Sequence, residues 1–479
     1  MPVDDQIHLH KYKFLLVSAF SSFIGTLDAS IVNVSLPTLS RAFSVPVDVV
    51  AWVVLGYALT IAATLLVVGR LSAQRGYRFV YVIGFSLFTL GSLLCALSAS
   101  IWQLIGFRVI QGIGASFLMA SGPALITRAF PATERGRSMG MLGTIVGIGL
   151  MAGPPLGGLL VTTVGWRSIF LINIPIGIAA IIYTAKLLKI VSPDHPDAKV
   201  NYLSGFYQGG GIIFLLLFLN RLNSPGWSHQ SLYAVLALSL ALLAAFLWRE
   251  THTDYPLLGL SIFTYRQFTL AISVMMITFI CTSSNMVLMP FYLEGILGLL
   301  PSQVGLVLVT VPLITAMVAP ISGRLSDAIG YRLLTTCGLS VLTVGLLWIG
   351  TLGQHSTRLD VVMRLIVVGI GAGIFQAPNS SAMMSAVPRQ LVGVASGLLS
   401  VARNIGITGG VAVATAAFSF RHSVYAESMA PNEAFVKAFS WVITAFAFVA
   451  LAAVFLSAIR DNRAVKRIPP EEKATSEMG

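Results

Sequence analysis

The sequence predicts an all-α, polytopic membrane protein: fourteen transmembrane helices, built as two six-helix pseudo-symmetric halves with an inserted helix pair. Three observations carry that prediction. Of 479 residues, 56% are hydrophobic and only 10% charged, with a mean hydropathy of +0.86. A soluble domain carries about 25% charged residues, so this chain lacks the charge to cover a water-facing surface. Its apolar residues fall in runs of about twenty, the length at which a helix crosses a bilayer core. A ten-residue sequence also recurs. Gly69-Arg70-Leu71-Ser72-Ala73-Gln74-Arg75-Gly76-Tyr77-Arg78 matches Gly323-Arg324-Leu325-Ser326-Asp327-Ala328-Ile329-Gly330-Tyr331-Arg332 at seven positions. The copies join the second and third runs of two six-run sets, the pattern of a duplicated transporter.

The runs place helices at 13–36, 48–69, 78–99, 101–126, 136–164 and 168–188, which make the first half, residues 1–189. A polar linker and two further helices, 202–220 and 231–248, fill residues 190–265. The second half, 266–459, has helices at 267–292, 302–325, 333–350, 360–384, 391–418 and 434–459, followed by a charged tail, 460–479. With a cytoplasmic N-terminus, twenty-one of the thirty Lys and Arg fall on cytoplasmic loops and tails and six on the opposite side. Arg108, Arg364 and Arg403 lie inside helices. A missed helix would reverse every later loop and spoil that bias, so count and orientation support each other. The reading is a multi-pass protein of the cytoplasmic (inner) membrane with both termini cytoplasmic.

The net charge of +12 follows from these topology signals rather than from an aromatic-interleaved basic patch, so nucleic-acid binding is excluded. Cys95, Cys281 and Cys337 all lie in apolar runs without the spacing of a metal or redox site. The seven histidines lie in tails, linkers and loops. There is no phosphate-binding loop, metalloprotease helix or nucleophile elbow. The chain reads as a non-enzyme with no metal and no cofactor, drawing on an ion gradient. Its expected partners are small molecules, protons and the bilayer, and its expected unit is a monomer.

One acid stands out. Asp28 lies about sixteen residues into the first long run, where a carboxylate costs roughly 3 kcal/mol or more on insertion scales. It must have partners, face water or carry a proton. Every other acid falls near a helix end, in a loop or in a tail. Arg108 and Gln111, one turn apart in helix 4, lie at a similar depth, and an arginine there would favour the ionised acid. Asn33 and Gln111 would shape a polar wall. In the second half, Asn285, Gln376 and Asn379 are candidate cavity residues. Glu294, at the outer mouth, is either a second protonation site or a solvated loop acid.

Gating candidates are the repeated loops, through Gly69, Arg70, Arg75, Gly76, Arg78, Asp327 and Arg332. Helix 5 adds Gly149, Gly153 and Gly157, on one face at four-residue spacing, with Pro154 beside them. Small residues allow close helix approach and proline bends the helix, so this face suits a sliding seam between halves.

These residues resemble the major facilitator superfamily, and more closely its fourteen-helix drug:proton antiporter family. The matching elements are Leu27-Asp28 through Leu36-Pro37, the 70–78 loop, Arg108 with Gln111-Gly112 and Gly114, the run Gly149 to Gly158, and Trp166-Arg167-Ser168-Ile169-Phe170-Leu171-Ile172-Asn173-Ile174-Pro175-Ile176-Gly177. The resemblance covers nearly the whole chain. It implies a proton-coupled multidrug exporter of amphipathic, often cationic, compounds working by alternating access, with Asp28 as the coupling acid. One position departs. The family's acid at the fifth position of the helix 2–3 loop is Ala73 here, whereas the second copy keeps Asp327. Two other readings stand beside this one: an exporter or translocator of a native lipid or metabolite, such as a siderophore or amino acid, and a non-transporting receptor or scaffold.

Overall fold

A computed structural model describes residues 11–130, 134–188, 199–221, 228–388 and 391–460. Fourteen helices are long and apolar enough to span a membrane. They are α1 (Lys11–Phe43), α2 (Val47–Ser72), α3 (Tyr77–Leu97), α4 (Ile101–Gly122), α5 (Met141–Thr163), α6 (Ser168–Leu187), α7 (Tyr202–Leu219), α8 (His229–Thr251), α9 (Arg266–Ile296), α10 (Pro301–Ser326), α11 (Tyr331–Ile349), α12 (Arg358–Ser385), α13 (Gly397–Ala426) and α14 (Pro431–Ala458). This is a multi-pass membrane protein. An even number of spans puts Lys11 and Arg460 at the same face, here the terminal face; the opposite one is the distal face.

Local chemistry sets the ends. Both repeated loops turn on a glycine, Gly76 at φ 84° and Gly330 at φ 86°, a left-handed conformation that glycine adopts without a Cβ penalty. Ser100 caps α4 by accepting from Gln103 N at 3.3 Å. Thr357 and Asp360 cap α12 reciprocally. The first helix outruns its expected end near Leu36: Pro37 lies inside it and it continues to Phe43. Proline is tolerated in a membrane helix where packed neighbours occupy the space around the broken ladder. The end of α9 widens into a π turn over Tyr292–Ile296.

The two halves pack alike. In the first, α1 lies on α5 and α4, α4 on α2 and α3, and α3 on α6; in the second, α9 lies on α13 and α12, α12 on α10 and α11, and α11 on α14. Glycines mark equivalent crossings. Gly149 and Gly153 press on Thr26 and Ser30 of α1, as Gly406 and Gly410 press on Phe279 and Ser283 of α9. Gly112 and Gly114 meet Thr60 and Phe88, as Gly369 and Gly371 meet Ile314 and Leu342. Matching these contacts makes Cys281 the counterpart of Asp28, Leu365 that of Arg108, and Val368 that of Gln111.

The halves meet along two seams, α5 with the start of α10 and α2 with α13, and α1 also touches α9. The stripe Gly149, Gly153, Gly157 faces α1 of its own half. That corrects the expected sliding face: a stripe of small residues was met first by the neighbour in its own half. The inter-half seam uses the adjacent positions, with Gly158 against Pro301, Pro154 against Gly305, and Ser302 N donating to Thr162 Oγ1 at 3.1 Å.

The apolar core follows the same division. At the distal end one cluster joins both halves, with Val34, Leu36, Val50 and Val54 beside Leu288, Leu293, Val304 and Val411. At the terminal end there are two. One holds Phe14, Tyr81, Leu118 and Phe130 of the first half; the other holds Phe268, Leu339, Phe375 and Leu398 of the second. Among the described residues, Val401 and Ile405 alone cross into the first-half cluster. The halves therefore share one core distally and keep separate cores towards the terminal face.

The inserted pair sits over one seam. The helix α7 packs on both α2 and α13, and α8 packs on α7. Gly209 of α7 lies against Ala63, and Gln208 Nε2 donates to Ala62 O at 3.0 Å. The linker after α8 is fixed by Glu250, whose carboxylate accepts from Leu257 N and Leu258 N at 3.0 and 2.8 Å.

Candidate functional site

Four helices bring one polar cluster to mid-depth in the first half. Asp28, in the middle of α1, has no exposure; nor do Arg108 and Gln111 of α4. Arg108 Nη1 donates to Asp28 Oδ2 at 2.6 Å and to Gln111 Oε1 at 2.6 Å. Gln111 Nε2 donates to Asp28 Oδ1 at 2.9 Å and to Ser92 Oγ of α3 at 2.7 Å. Asn173 of α6 donates to Asp28 Oδ1 at 3.0 Å. The Arg108 side chain is anchored by Nε to Val53 O of α2 at 3.0 Å, and its guanidinium lies 4.0 Å above the Tyr57 ring.

The sequence allows this because the backbones approach closely around the polar groups. A Cβ at Gly91 of α3 would meet the Gln111 backbone at 2.7 Å, so only glycine lets α3 present Ser92 to the cluster. Electrostatically, one carboxylate and one guanidinium cancel, and three side chains donate to the acid. An ionised acid free of such partners could not persist at this depth. The pair is hydrogen-bonded on both sides, the condition under which buried ions are tolerated. Arg108 Nη2 and the Tyr57 hydroxyl keep no hydrogen-bond partner. The cluster places one carboxylate against three donors, so any change of charge at Asp28 is felt by Arg108, Gln111 and Asn173.

The remaining candidates lie elsewhere. Asn33 is buried one turn beyond Asp28, but its amide donates to Ala29 O of its own helix at 2.8 Å and does not reach the acid. Asn285 is buried in α9 with its Oδ1 unpartnered. Gln376 is exposed. Asn379 belongs to a terminal-face contact, donating to Ala271 O at 3.2 Å and accepting from Arg460 Nη1 at 2.7 Å. Glu294 is no solvated loop acid: its side chain is 4% exposed and ion-paired with Arg41.

Among the gating candidates, Gly76 makes its turn, whereas a Cβ at Gly69 would meet open space. Arg70 donates to Pro256 O in the linker after α8 at 2.5 Å, and Arg75 lies 5.8 Å over the Phe79 ring. Arg78 and Arg332 are exposed. The side chains of Ala73 and Asp327 lie outside the described residues.

Asn173, Ser92, Tyr57 and Arg41 were not singled out as site residues in the sequence. Asn173 carried a usable signal, an amide within an otherwise apolar span. Tyr57 and Ser92 did not, because such residues are common in membrane helices.

Comparison with known proteins agrees with this architecture. The family model described as Major Facilitator Superfamily matches residues 18–411 and 271–478. The chain belongs to the major facilitator superfamily. It is 35% identical over 425 residues to the riboflavin transporter RibZ of Clostridioides difficile (strain 630), covering 89% of this chain and 90% of that protein. It is 34% identical over 406 residues to the multidrug resistance protein Stp of Mycobacterium tuberculosis (strain ATCC 25618 / H37Rv), covering 83% and 74%. The lincomycin resistance protein LmrB of Listeria monocytogenes serovar 1/2a is 27% identical over 89% of this chain and 91% of its own. A crystal structure of a POT family transporter in complex with a thioalcohol-conjugated peptide shares the fold, with a TM-score of 0.67 at 15% identity over 92% of this chain and 96% of that one. This superfamily member is a transporter, not an enzyme.

Proposed function

We propose that this chain is a proton-coupled efflux antiporter of the cytoplasmic membrane, acting as a monomer and exporting amphipathic organic compounds, cations among them. The observation that carries the reading is the Asp28 cluster: an ionisable group at mid-depth, fully enclosed, its charge held by Arg108, Gln111 and Asn173. The relatives named for multidrug and lincomycin resistance support the substrate class. The Lys and Arg bias makes the terminal face cytoplasmic, so the described conformation, sealed distally, is inward-facing.

In that state the ionised Asp28 and Arg108 neutralise each other. Protonation of Asp28 removes the acceptor charge and leaves Arg108 as an uncompensated buried cation. The first half must then rearrange, and that rearrangement links proton binding to release of substrate on the far side. The test is substrate-driven proton release from purified protein in vesicles, over a panel of cationic and neutral compounds. Asp28→Asn is expected to abolish proton release and coupled efflux; efflux at the wild-type rate in that variant would overturn the reading.

A second reading, transport of a native metabolite, is favoured by the riboflavin transporter among the relatives. Tight saturable binding of one flavin or metabolite, with only weak binding across the drug panel, would decide for it.

A further inference from the structure

The distal seal contains an ion pair that joins the two halves. Arg41, near the end of α1, reaches across to Glu294 in the π turn that closes α9. Thr38 Oγ1 donates to the same carboxylate oxygen, Oε1, at 3.5 Å. The partners are placed very unequally: the Arg41 side chain is 62% exposed and that of Glu294 4%. The other oxygen, Oε2, is buried without a hydrogen-bond partner.

The second half fixes the acid. Tyr292, in the same turn, donates to Gly353 O at 2.6 Å and stacks on Phe439 of α14 at 5.1 Å. A π turn in a membrane helix often marks a functional position, because it re-aims one side chain at the expense of regular hydrogen bonding. Arg364 and Asp360 of α12 lie near the neighbouring Tyr292 hydroxyl with opposite charges; among the described residues, the cation paired with Glu294 is Arg41. The first turns of α10, Pro301–Leu308, carry no titratable residue. On α14, Lys437 pairs with Glu433 at 3.3 Å, and the Tyr292 hydroxyl is committed to Gly353 O. From α1 come only Thr38 and Arg41.

The contrast with Asp28 is one of location. Asp28 and Arg108 lie in the same half, so relative movement of the halves carries them together. Glu294 and Arg41 lie in different halves, so parting at the distal face separates them. Glu294 then keeps its apolar neighbours, Leu293 and Tyr292 among them, and loses its cation. A carboxylate in that position takes up a proton rather than remain charged. We infer that Glu294 is a second proton-binding carboxylate of the transport cycle, ionised while the distal seal is closed and protonated when it opens. Arg41 is its positioning residue.

This inference rests on the proton-coupled reading above, and the experiment separates the two. Cys337 is replaced by serine and a reporter cysteine placed at Val304, buried in the cluster that seals the halves distally. Labelling by a membrane-impermeant maleimide is then followed from pH 8 to pH 5, together with the number of protons moved per substrate. The wild-type background is expected to label faster as pH falls. Glu294→Gln is expected to label at the fast rate throughout and to move one proton fewer per substrate. Arg41→Gln, a change at an exposed position that keeps the fold, is expected to shift the labelling midpoint up by about one pH unit or more, since the acid loses its cation. The exchanged pair Arg41→Glu with Glu294→Arg is expected to restore slow labelling that neither single change allows. An unchanged pH response and proton number in Glu294→Gln would overturn the inference while leaving the Asp28 reading intact. Absence of substrate-driven proton movement in the wild type would overturn both.

Discussion

The two halves share a helix arrangement and differ at its centre. Where the first half holds Asp28, Arg108 and Gln111, the second holds Cys281, Leu365 and Val368, all at 0–2% exposure within the core that joins the halves. The same crossing of glycines and small residues frames both places. In one it encloses a neutralised ion pair, in the other an ordinary apolar core. The scaffold does not require the charges, since its copy packs without them. They are retained in one half at the cost of desolvating two ions, which is the expected mark of a group kept for what it does.

Three experiments break or sharpen this comparison. The largest effect is expected from Arg108→Ala, which leaves the Asp28 carboxylate buried without its cation. Loss of one partner of such a pair costs about 3–5 kcal/mol, read as a large fall in thermal unfolding temperature together with loss of coupled transport. A fall no larger than that of an exposed arginine such as Arg78 would show that the pair is not the buried unit described. Next comes Cys281→Asp, which copies the acid into the second half without its partners. It is expected to destabilise by about 2–4 kcal/mol, and adding Leu365→Arg should recover part of that loss if the two sites are geometrically equivalent. No recovery would break the equivalence. The smallest is Asn173→Ala, which removes one of three donors to Asp28 and should cost about 1–2 kcal/mol. Its signature is a changed pH dependence of efflux with the folded yield maintained; an unchanged pH profile would place Asn173 outside the coupling group.

The sequence made the fold legible because the membrane imposes a single length scale and because the loop repeat fixed the register of the two halves. It also pointed to Asp28, Arg108 and Gln111, since charge and amide groups inside an apolar run have few explanations. It did not tell which helix a small-residue face would meet, and so the stripe on α5 was assigned to the wrong neighbour. Nor did it reveal that Glu294 is buried. A residue two positions past the expected end of its helix reads as loop, and only the π turn and the arrival of Arg41 from the other half put it inside. Pairing between distant helices leaves no local trace in one sequence.

The placement of α7 has a wider consequence. Lying over α2 and α13, it acts as a spine along one edge of the molecule, while the opposite edge, where α5 meets α10, has no such cover among the described residues. A cover on one edge alone makes the two seams between the halves unequal. Lipid chains are kept from the bound edge and can reach the free one, so the molecule presents the bilayer with a front and a back that its two-fold architecture would not have given it.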